Sequence, residues 1–534
     1  MGCPHLHVRD ARAWEECGGR SQRLLAVLRY VLRVTPRVRN MRRVVAVTLV
    51  LMLSLVGVPA VAATDPAPAP VAQAKERAAL QWKKCGGGSP ARAQCAYLTV
   101  PRDWARSDSG TYRIAVARIP AEVAPTRGVL FFNRGGPGLS SIGALDFIQS
   151  RLPQAVRDSF DIVTLDSRGV GGSQPTLTNC RTPEPEFPAT GPVDWDVAAA
   201  TYLASKSGAL QACLEVNETD AEFVGSWQVI RDIDALRRAL GSSHISFWGL
   251  SYGATLGRAY AQQFSQRLRA LVLDGASSPT PSVGDYAREH IWDDATAIQT
   301  MLGAFGARTT RGYRTVMNYL DGNVLTTEDG ETVTRWTVSQ FLVNNAAYQL
   351  RWEQSKARIN ELYDAIRNSR SITREEFRRL KADSIRPRDD GGSNPAYHFI
   401  NCSDMHDRPS SQVIAGAAQQ AAKVGGTALG AVPMGEGTMC AGLPPLGRPL
   451  PPLEGTLRLA IPPVIVNAVG DNRTPWLGAR ETANSFTGSS MVTYVGTQHV
   501  VYGGPSACVD AAVSTYLLDL TLPPRSVACP LVYP

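Results

Sequence analysis

Histidine is scarce in this chain of 534 residues: there are seven. No C-x-x-C pair occurs, and no Cys/His cluster has the spacing of a zinc site, which argues against a structural metal. Internal repeats are missing too, so solenoids and propellers are set aside. Outside one stretch near the N-terminus there is no long apolar run, so no bundle of membrane-spanning helices is expected. An excess of charge is absent where it would matter. The net charge is +8, but residues 1–63 hold ten arginines and three acidic residues, a balance of +7. The remaining 45 basic and 44 acidic residues nearly cancel, which leaves no footprint for nucleic acid.

The basic excess belongs to a leader. Met41-Arg42-Arg43 is a positive start, VVAVTLVLMLSLVGV (44–58) is an apolar segment short for a membrane span, and Ala60-Val61-Ala62 precedes Ala63. This order predicts a signal peptide over 41–63, cleaved near Ala62-Ala63, and a secreted protein; an uncleaved anchor is the rival. Residues 1–40 read as an N-terminal extension or as a start assigned too early, Met41 being a sensible start. Residues 64–84 open with TDPAPAPVA, a Pro/Ala-rich linker. The leader keeps Cys3 and Cys17, and eight cysteines follow it: Cys85, Cys95, Cys180, Cys213, Cys402, Cys440, Cys508 and Cys529. An even number in an exported chain favours disulfides. Eight cysteines allow 105 connectivities, and sequential pairing is the simplest of them.

From Cys85 onward, strand and helix signals alternate. YRIAVARI (112–119), GVLFFN (128–133), FDIVTLD (160–166), ISFWGL (245–250) and LRALVLDG (268–275) read as strands, several of them covered on both faces. SWQVIRDIDALRRALG (226–241) carries Trp227, Ile230, Ile233, Leu236 and Leu240 on one helical face. The rhythm predicts an α/β fold with a mostly parallel sheet. It stops near 279, and strands return only with PPVIVNAVGD (462–471) and SMVTYVG (490–496). Between them QFLVNNAAYQLRWEQSKARINELYDAI (340–366) reads as one strong helical stretch, and another helix starts after Ser371 or Thr373. The expected organisation is a core in two parts, 85–278 and 455–534, with a helical insertion over 279–454.

SFWGLSYGATLG (246–257) holds a G-x-S-x-G pattern at the end of a buried strand and the start of a helix. That is the context of a nucleophile elbow, with Ser251 as nucleophile. A serine hydroxyl needs a base held by an acid, and on this fold both follow it in the chain. Asp471 ends one of the returning strands and His499 follows the other. Of the five histidines after the leader, His244 lies at the opposite sheet edge and His290, His398 and His406 lie in the insertion, so elimination leaves His499 as the base. Asp274, at another strand end, competes with Asp471 for the acid. Asp166 and Arg168 are expected to pair and brace SRGVGGS. Acyl transfer also needs two backbone N–H groups for the developing oxyanion. Tyr252 offers one, and the GGPG loop after a strand offers the other through Gly135 or Gly136. That loop matches neither phosphate-binding pattern.

GGPG, DSRGVGGS, GLSYGATLG, INCSD (400–404), DNRTP and GTQHVV together resemble the secreted tripeptidyl-aminopeptidase branch of the proline-iminopeptidase-like α/β hydrolases, which includes related exported carboxylesterases and serine proteases. The resemblance spans about Cys85 to Cys529. It implies an α/β-hydrolase fold with a helical cap, Ser251, Asp471 and His499 as the triad, the GGPG loop as oxyanion site, and a Cys508–Cys529 pair. Arg134 departs from it, since Pro or His is more usual before GGPG; an arginine there would alter the pocket entrance or favour an anionic group. The implied activity is release of short N-terminal peptides without a cofactor, with cap acids binding the substrate amine; Glu289, Asp293, Glu353 and Glu361 are examples among several. A carboxylesterase or lipid-ester hydrolase with the same triad, an enzyme tailoring a secreted natural product, and an inactive binding module on this fold are the alternatives.

Overall fold

A computed structural model describes residues 80–279, 282–384, 394–453 and 455–532. The expected extension, signal peptide and 64–72 linker lie outside the described residues. Among these no helix is long and apolar enough to cross a membrane, and no group of three metal-ligating side chains occurs.

The strands are β1 (Lys83–Lys84), β2 (Gln94–Asp103), β3 (Arg106–Ile119), β4 (Val129–Asn133), β5 (Asp161–Leu165), β6 (Ile245–Leu250), β7 (Leu268–Asp274), β8 (Leu325–Thr326), β9 (Thr332–Val333), β10 (Val464–Ala468), β11 (Ser490–Tyr494) and β12 (Ser526–Cys529). Ten of them form one sheet in the order β1-β2-β3-β5-β4-β6-β7-β10-β11-β12, while β8 and β9 pair apart. The pairs involving β1 to β3 are antiparallel, and those from β5 across to β12 are parallel. Every residue of β4 and β6 is buried, because both sheet faces are covered. Alternation divides their side chains: Leu130, Phe132, Trp248, Val272 and Val466 pack on one face, and Phe131, Phe247, Leu271, Leu273 and Ile465 on the other. The β2 strand, QCAYLTVPRD, is absent from the sequence expectations although its inward residues alternate.

Helices α1 (Ser226–Ala239) and α2 (Tyr252–Phe264) flank β6 in the chain, and α1 buries Ile230, Ile233 and Leu236. Neighbours β7 and β10 are separated in sequence by a helical stretch that begins with α3 (Val283–Ala304) and has its own core around Met301, Phe341, Trp352 and Leu429. The helix expected over 340–366 is two helices, α4 (Arg335–Ala346) and α5 (Trp352–Arg367), joined by a short 3₁₀ turn at Gln349–Arg351. The break has a tertiary cause. The Ala346 carbonyl accepts from Thr497 Oγ1 at 2.8 Å, and the Ala347 carbonyl accepts the His499 N–H at 2.7 Å. Bonds to the 497–499 loop thus take carbonyls that a continuous helix would use. Helix α6 (Arg374–Ser384) is capped by Thr373, not Ser371: the Thr373 hydroxyl accepts from Glu376 N–H, and the Glu376 carboxylate accepts from Thr373 N–H.

The eight cysteines pair sequentially: Cys85–Cys95, Cys180–Cys213, Cys402–Cys440 and Cys508–Cys529. The expected Asp166–Arg168 pair is not formed. Arg168 turns into the core and makes a two-point bond to Asp232 on α1, Nε to Oδ2 at 2.7 Å and Nη2 to Oδ1 at 2.8 Å. Asp166 instead accepts from Ser140 Oγ and from the Ile142 and Gly172 N–H groups. Both residues lie past the end of β5, where the chain turns at Arg168, so no strand alternation sets their side chains together. Removing one partner of a buried pair leaves an uncompensated charge. Asp232→Ala is therefore expected to cost about 3–5 kcal/mol of stability, read from the guanidinium chloride midpoint; a loss under about 1 kcal/mol would contradict this.

Candidate active site

Ser251 stands between β6 and α2 with φ 59° and ψ −125°, a region that non-glycine residues rarely adopt. The neighbours make this turn possible. A Cβ at Gly249 would collide with the Gly253 carbonyl, and one at Gly253 with the Asn133 carbonyl. Only glycine at both positions lets α2 start this close to β4 and β6. The Ser251 N–H donates to the Asp274 carbonyl at 2.8 Å, and the Ser251 carbonyl accepts from Ala254 N–H at 2.7 Å.

Asp471 and His499 meet. Asp471 lies three residues past β10 with its side chain fully buried. Its carboxylate accepts from Arg473 N–H, Thr474 N–H, Thr474 Oγ1 and, at 2.9 Å, His499 Nδ1. A carboxylate only accepts, so the proton sits on Nδ1, and Nε2 is the ring nitrogen left for other work. The imidazole lies against the residue after Asp274: a Cβ on Gly275 would stand 3.2 Å from His499 Cε1. Ser251 and His499 therefore flank the same two-residue segment, 274–275.

Asp274, the rival acid, does not bond the imidazole. Its two carboxylate oxygens accept the Val501 and Tyr502 N–H groups, each at 2.9 Å. It holds the loop that carries His499. Burial pushes its carboxyl up to about 6, against the pull of those two N–H groups.

The GGPG loop packs on the elbow. A Cβ on Gly135, where φ is +93°, would stand 2.8 Å from Ser251 Cβ and 3.1 Å from Tyr252 N. The Gly135 N–H is already used, donating to Asn133 Oδ1 at 3.0 Å. This removes Gly135 from the donors expected of the loop. The N–H groups of Gly136 and Tyr252 have no acceptor among the described residues. Asp166, through Ser140 and Ile142, anchors the far end of the loop. Asn133 carried no motif signal. The chain behind Tyr252 was marked only at its far end, by the Asp404 of INCSD: the Tyr252 hydroxyl shares a 2.5 Å bond with Ser226 Oγ, and Ser226 N–H donates to Asp404, whose carboxyl burial pushes up to about 7.

Four cap acids were left open by the sequence, and the structure separates them. Glu353 is exposed beside Lys356, and Glu361 is paired with Arg358 and Arg379. Glu289 and Asp293 sit four apart on α3, half-buried, with no ion pair among the described residues. The neighbouring Asp294 accepts from Asn472 Nδ2 at 2.6 Å, which docks α3 on the loop of Asp471. Burial, then the charges of Asp294, Asp471 and Glu289, push Asp293 up to about 7. Burial, then Glu481 and Asp285, push Glu289 up to about 7.

The Asp274 carboxyl keeps its proton in the fold to about pH 6, whereas an unfolded aspartate loses it near 3.9. Folding takes up a proton between those values, so stability falls as pH rises through them, by about 3 kcal/mol. Asp274→Asn removes this term. The stability difference between wild type and variant, measured by denaturant unfolding at pH 4 and pH 7, should shift by about that amount in the variant's favour at pH 7; no shift would contradict the assignment.

Residues 128–320 match the model of the α/β hydrolase fold, and residues 428–529 match that of the TAP-like proteins. The chain is 28% identical to the serine protease Hip1 of Mycobacterium tuberculosis, an alignment covering 84% of this chain and 91% of that protein. It is 29% identical to carboxylesterase B of the same organism (82% and 86% covered) and 27% identical to the tripeptidyl aminopeptidase of Streptomyces lividans (85% and 87% covered). These matches show a serine hydrolase with the α/β-hydrolase fold, whose C-terminal part is similar to the TAP-like proteins.

Proposed function

We propose that this enzyme is an exported aminopeptidase that removes short, tripeptide-type N-terminal segments through a Ser251–His499–Asp471 triad. The observation that carries the catalytic reading is the Asp471–His499 bond, which orients an imidazole whose free Nε2 belongs to a ring beside the elbow of Ser251. Ser251 Oγ attacks the scissile carbonyl and its proton passes to Nε2. The N–H groups of Gly136 and Tyr252 receive the oxyanion. The same proton then goes to the leaving amine, and water, deprotonated by Nε2, cleaves the acyl-enzyme. Asp471 keeps the imidazole in the Nδ1–H form throughout.

The peptide reading over the ester reading rests on Glu289 and Asp293. Two half-buried carboxylates without cations of their own fit a substrate ammonium. The tripeptidyl aminopeptidase and serine protease relatives support it; carboxylesterase B supports the alternative, an esterase using the same triad.

A fluorophosphonate probe is expected to label Ser251, and Ser251→Ala to abolish labelling while the protein stays folded. Labelling elsewhere, or none in folded wild type, ends the serine-nucleophile reading. Tripeptidyl anilides and short p-nitrophenyl esters separate the two substrate classes, and turnover of esters alone ends the peptidase reading.

The acid pair also sets a pH dependence. Below about pH 7 Glu289 and Asp293 take up protons and lose their hold on an ammonium. The KM of an unblocked tripeptidyl substrate should therefore rise about tenfold per pH unit well below 7, while that of a neutral ester stays flat. Parallel KM profiles for the two would remove the acids from substrate binding.

A further inference from the structure

Arg134 is the last residue before the GGPG glycines, and the fold does not use its charge. Its guanidinium is half-buried, and its one hydrogen bond is a 3.4 Å contact from Nη1 to the Ser140 carbonyl. Two other arginines, Arg168 and Arg408, look different. Arg168 has a carboxylate and backbone carbonyls, and Arg408 donates to four carbonyls, those of Met405, Asp407, Leu443 and Pro444. The groups whose charge Arg134 feels are Tyr348 and Asp166. Asp166 is already committed to Ser140, Ile142 and Gly172.

Tyr348 leads to a second cation. It sits in the break between α4 and α5, held there by the Ala347–His499 bond and by Gln349 N–H donating to Gln498 Oε1 at 3.1 Å. Its ring stands edge-on to the His499 imidazole, with centroids 6.3 Å apart. The Arg351 guanidinium lies over the same ring, 5.2 Å from its centroid. Among the described residues neither Arg134 nor Arg351 has a carboxylate within 4.0 Å, and the Tyr348 hydroxyl has no hydrogen-bond partner. Two half-buried cations thus have Tyr348 as a neighbour, and Tyr348 stands beside the proposed base. Holding unneutralised charge out of water is costly, and a planar guanidinium is the side chain that best repays it by binding a carboxylate at two points.

We propose that Arg134 and Arg351, with Tyr348 as their common neighbour, form a subsite for a substrate carboxylate, so that this hydrolase prefers substrates with an acidic group next to the scissile bond. The inference rests on the catalytic reading above for the place of that bond. It also gives the site a polarity: acids of α3 beside Asp471, cations beside His499. Two parts of a peptide carry the required group, an acidic side chain on the residue whose carbonyl is attacked, or a free C-terminal carboxylate.

The test is titration calorimetry on the full-length Ser251→Ala protein with three tetrapeptides: Ala-Ala-Glu-Ala-amide, Ala-Ala-Gln-Ala-amide and Ala-Ala-Gln-Ala with a free carboxylate. The first pair reads the side-chain source and the second pair the terminal one. One acidic member should bind at least about tenfold tighter than the neutral amide. Adding Arg134→Met or Arg351→Gln should bring that ratio close to one, and Arg134→Lys should keep part of it. Equal binding of all three peptides, or a ratio that survives both substitutions, overturns the subsite. Circular dichroism melting of each variant separates loss of the subsite from loss of the fold. Binding is read without turnover, so absence of fluorophosphonate labelling in wild type would defeat the catalytic reading while leaving this result interpretable.

Discussion

Asp274 ties the site together, although it is not placed in the triad. Its backbone carbonyl accepts the N–H of Ser251, and its carboxylate accepts the N–H groups of Val501 and Tyr502 just past His499. The next residue, Gly275, has no side chain to keep the imidazole away. One residue at the end of a central strand therefore sets the nucleophile turn and the histidine loop in a common frame. Bonds to backbone groups suit this task, because they fix loop position whatever side chains the loop carries. The cost is a carboxyl in a fully buried place, which the two N–H groups offset only in part.

A second tie joins the helical insertion to that frame. The segment from Ala346 to Gln349 is bonded to Thr497, Gln498 and His499, and Gln349 also accepts from Tyr494 Oη. On the other side Asp294 accepts from Asn472. The insertion thus grips the loops of both Asp471 and His499, and it places Tyr348 beside His499. The position of Tyr348 and the orientation of His499 share the same few hydrogen bonds.

Much of the sheet was legible because buried parallel strands are apolar throughout and β6 leads straight into a glycine-framed serine. The Asp471 and His499 positions were legible from chain order, strand ends and the scarcity of histidine, with Asp274 left as a rival acid, and the structure brings the Asp471 and His499 side chains together. What was hidden depends on side-chain direction and on long-range bonds. Arg168 was read as a partner for its near neighbour Asp166, but it finds Asp232 sixty-four residues on. Gly135 looked as good a donor as Gly136 until Asn133, with no motif to mark it, took its N–H. The helical pattern over 340–366 gave no sign of the break at Tyr348, because the bonds that cause it come from residues about 150 positions away. The cap acids could not be ranked from composition; only the cations around Glu361 and Lys356 beside Glu353 set them apart from Glu289 and Asp293.

The proposed site is assembled in advance, with the Gly136 and Tyr252 N–H groups open and the Gly135 N–H closed. A crystal structure of the phosphonylated enzyme measures this directly. Phosphorus is expected on Ser251 Oγ, with the phosphoryl oxygen about 3 Å from both the Gly136 and Tyr252 nitrogens and Gly135 still bonded to Asn133. A phosphoryl oxygen bound to the Gly135 nitrogen, or an adduct on another residue, would contradict it.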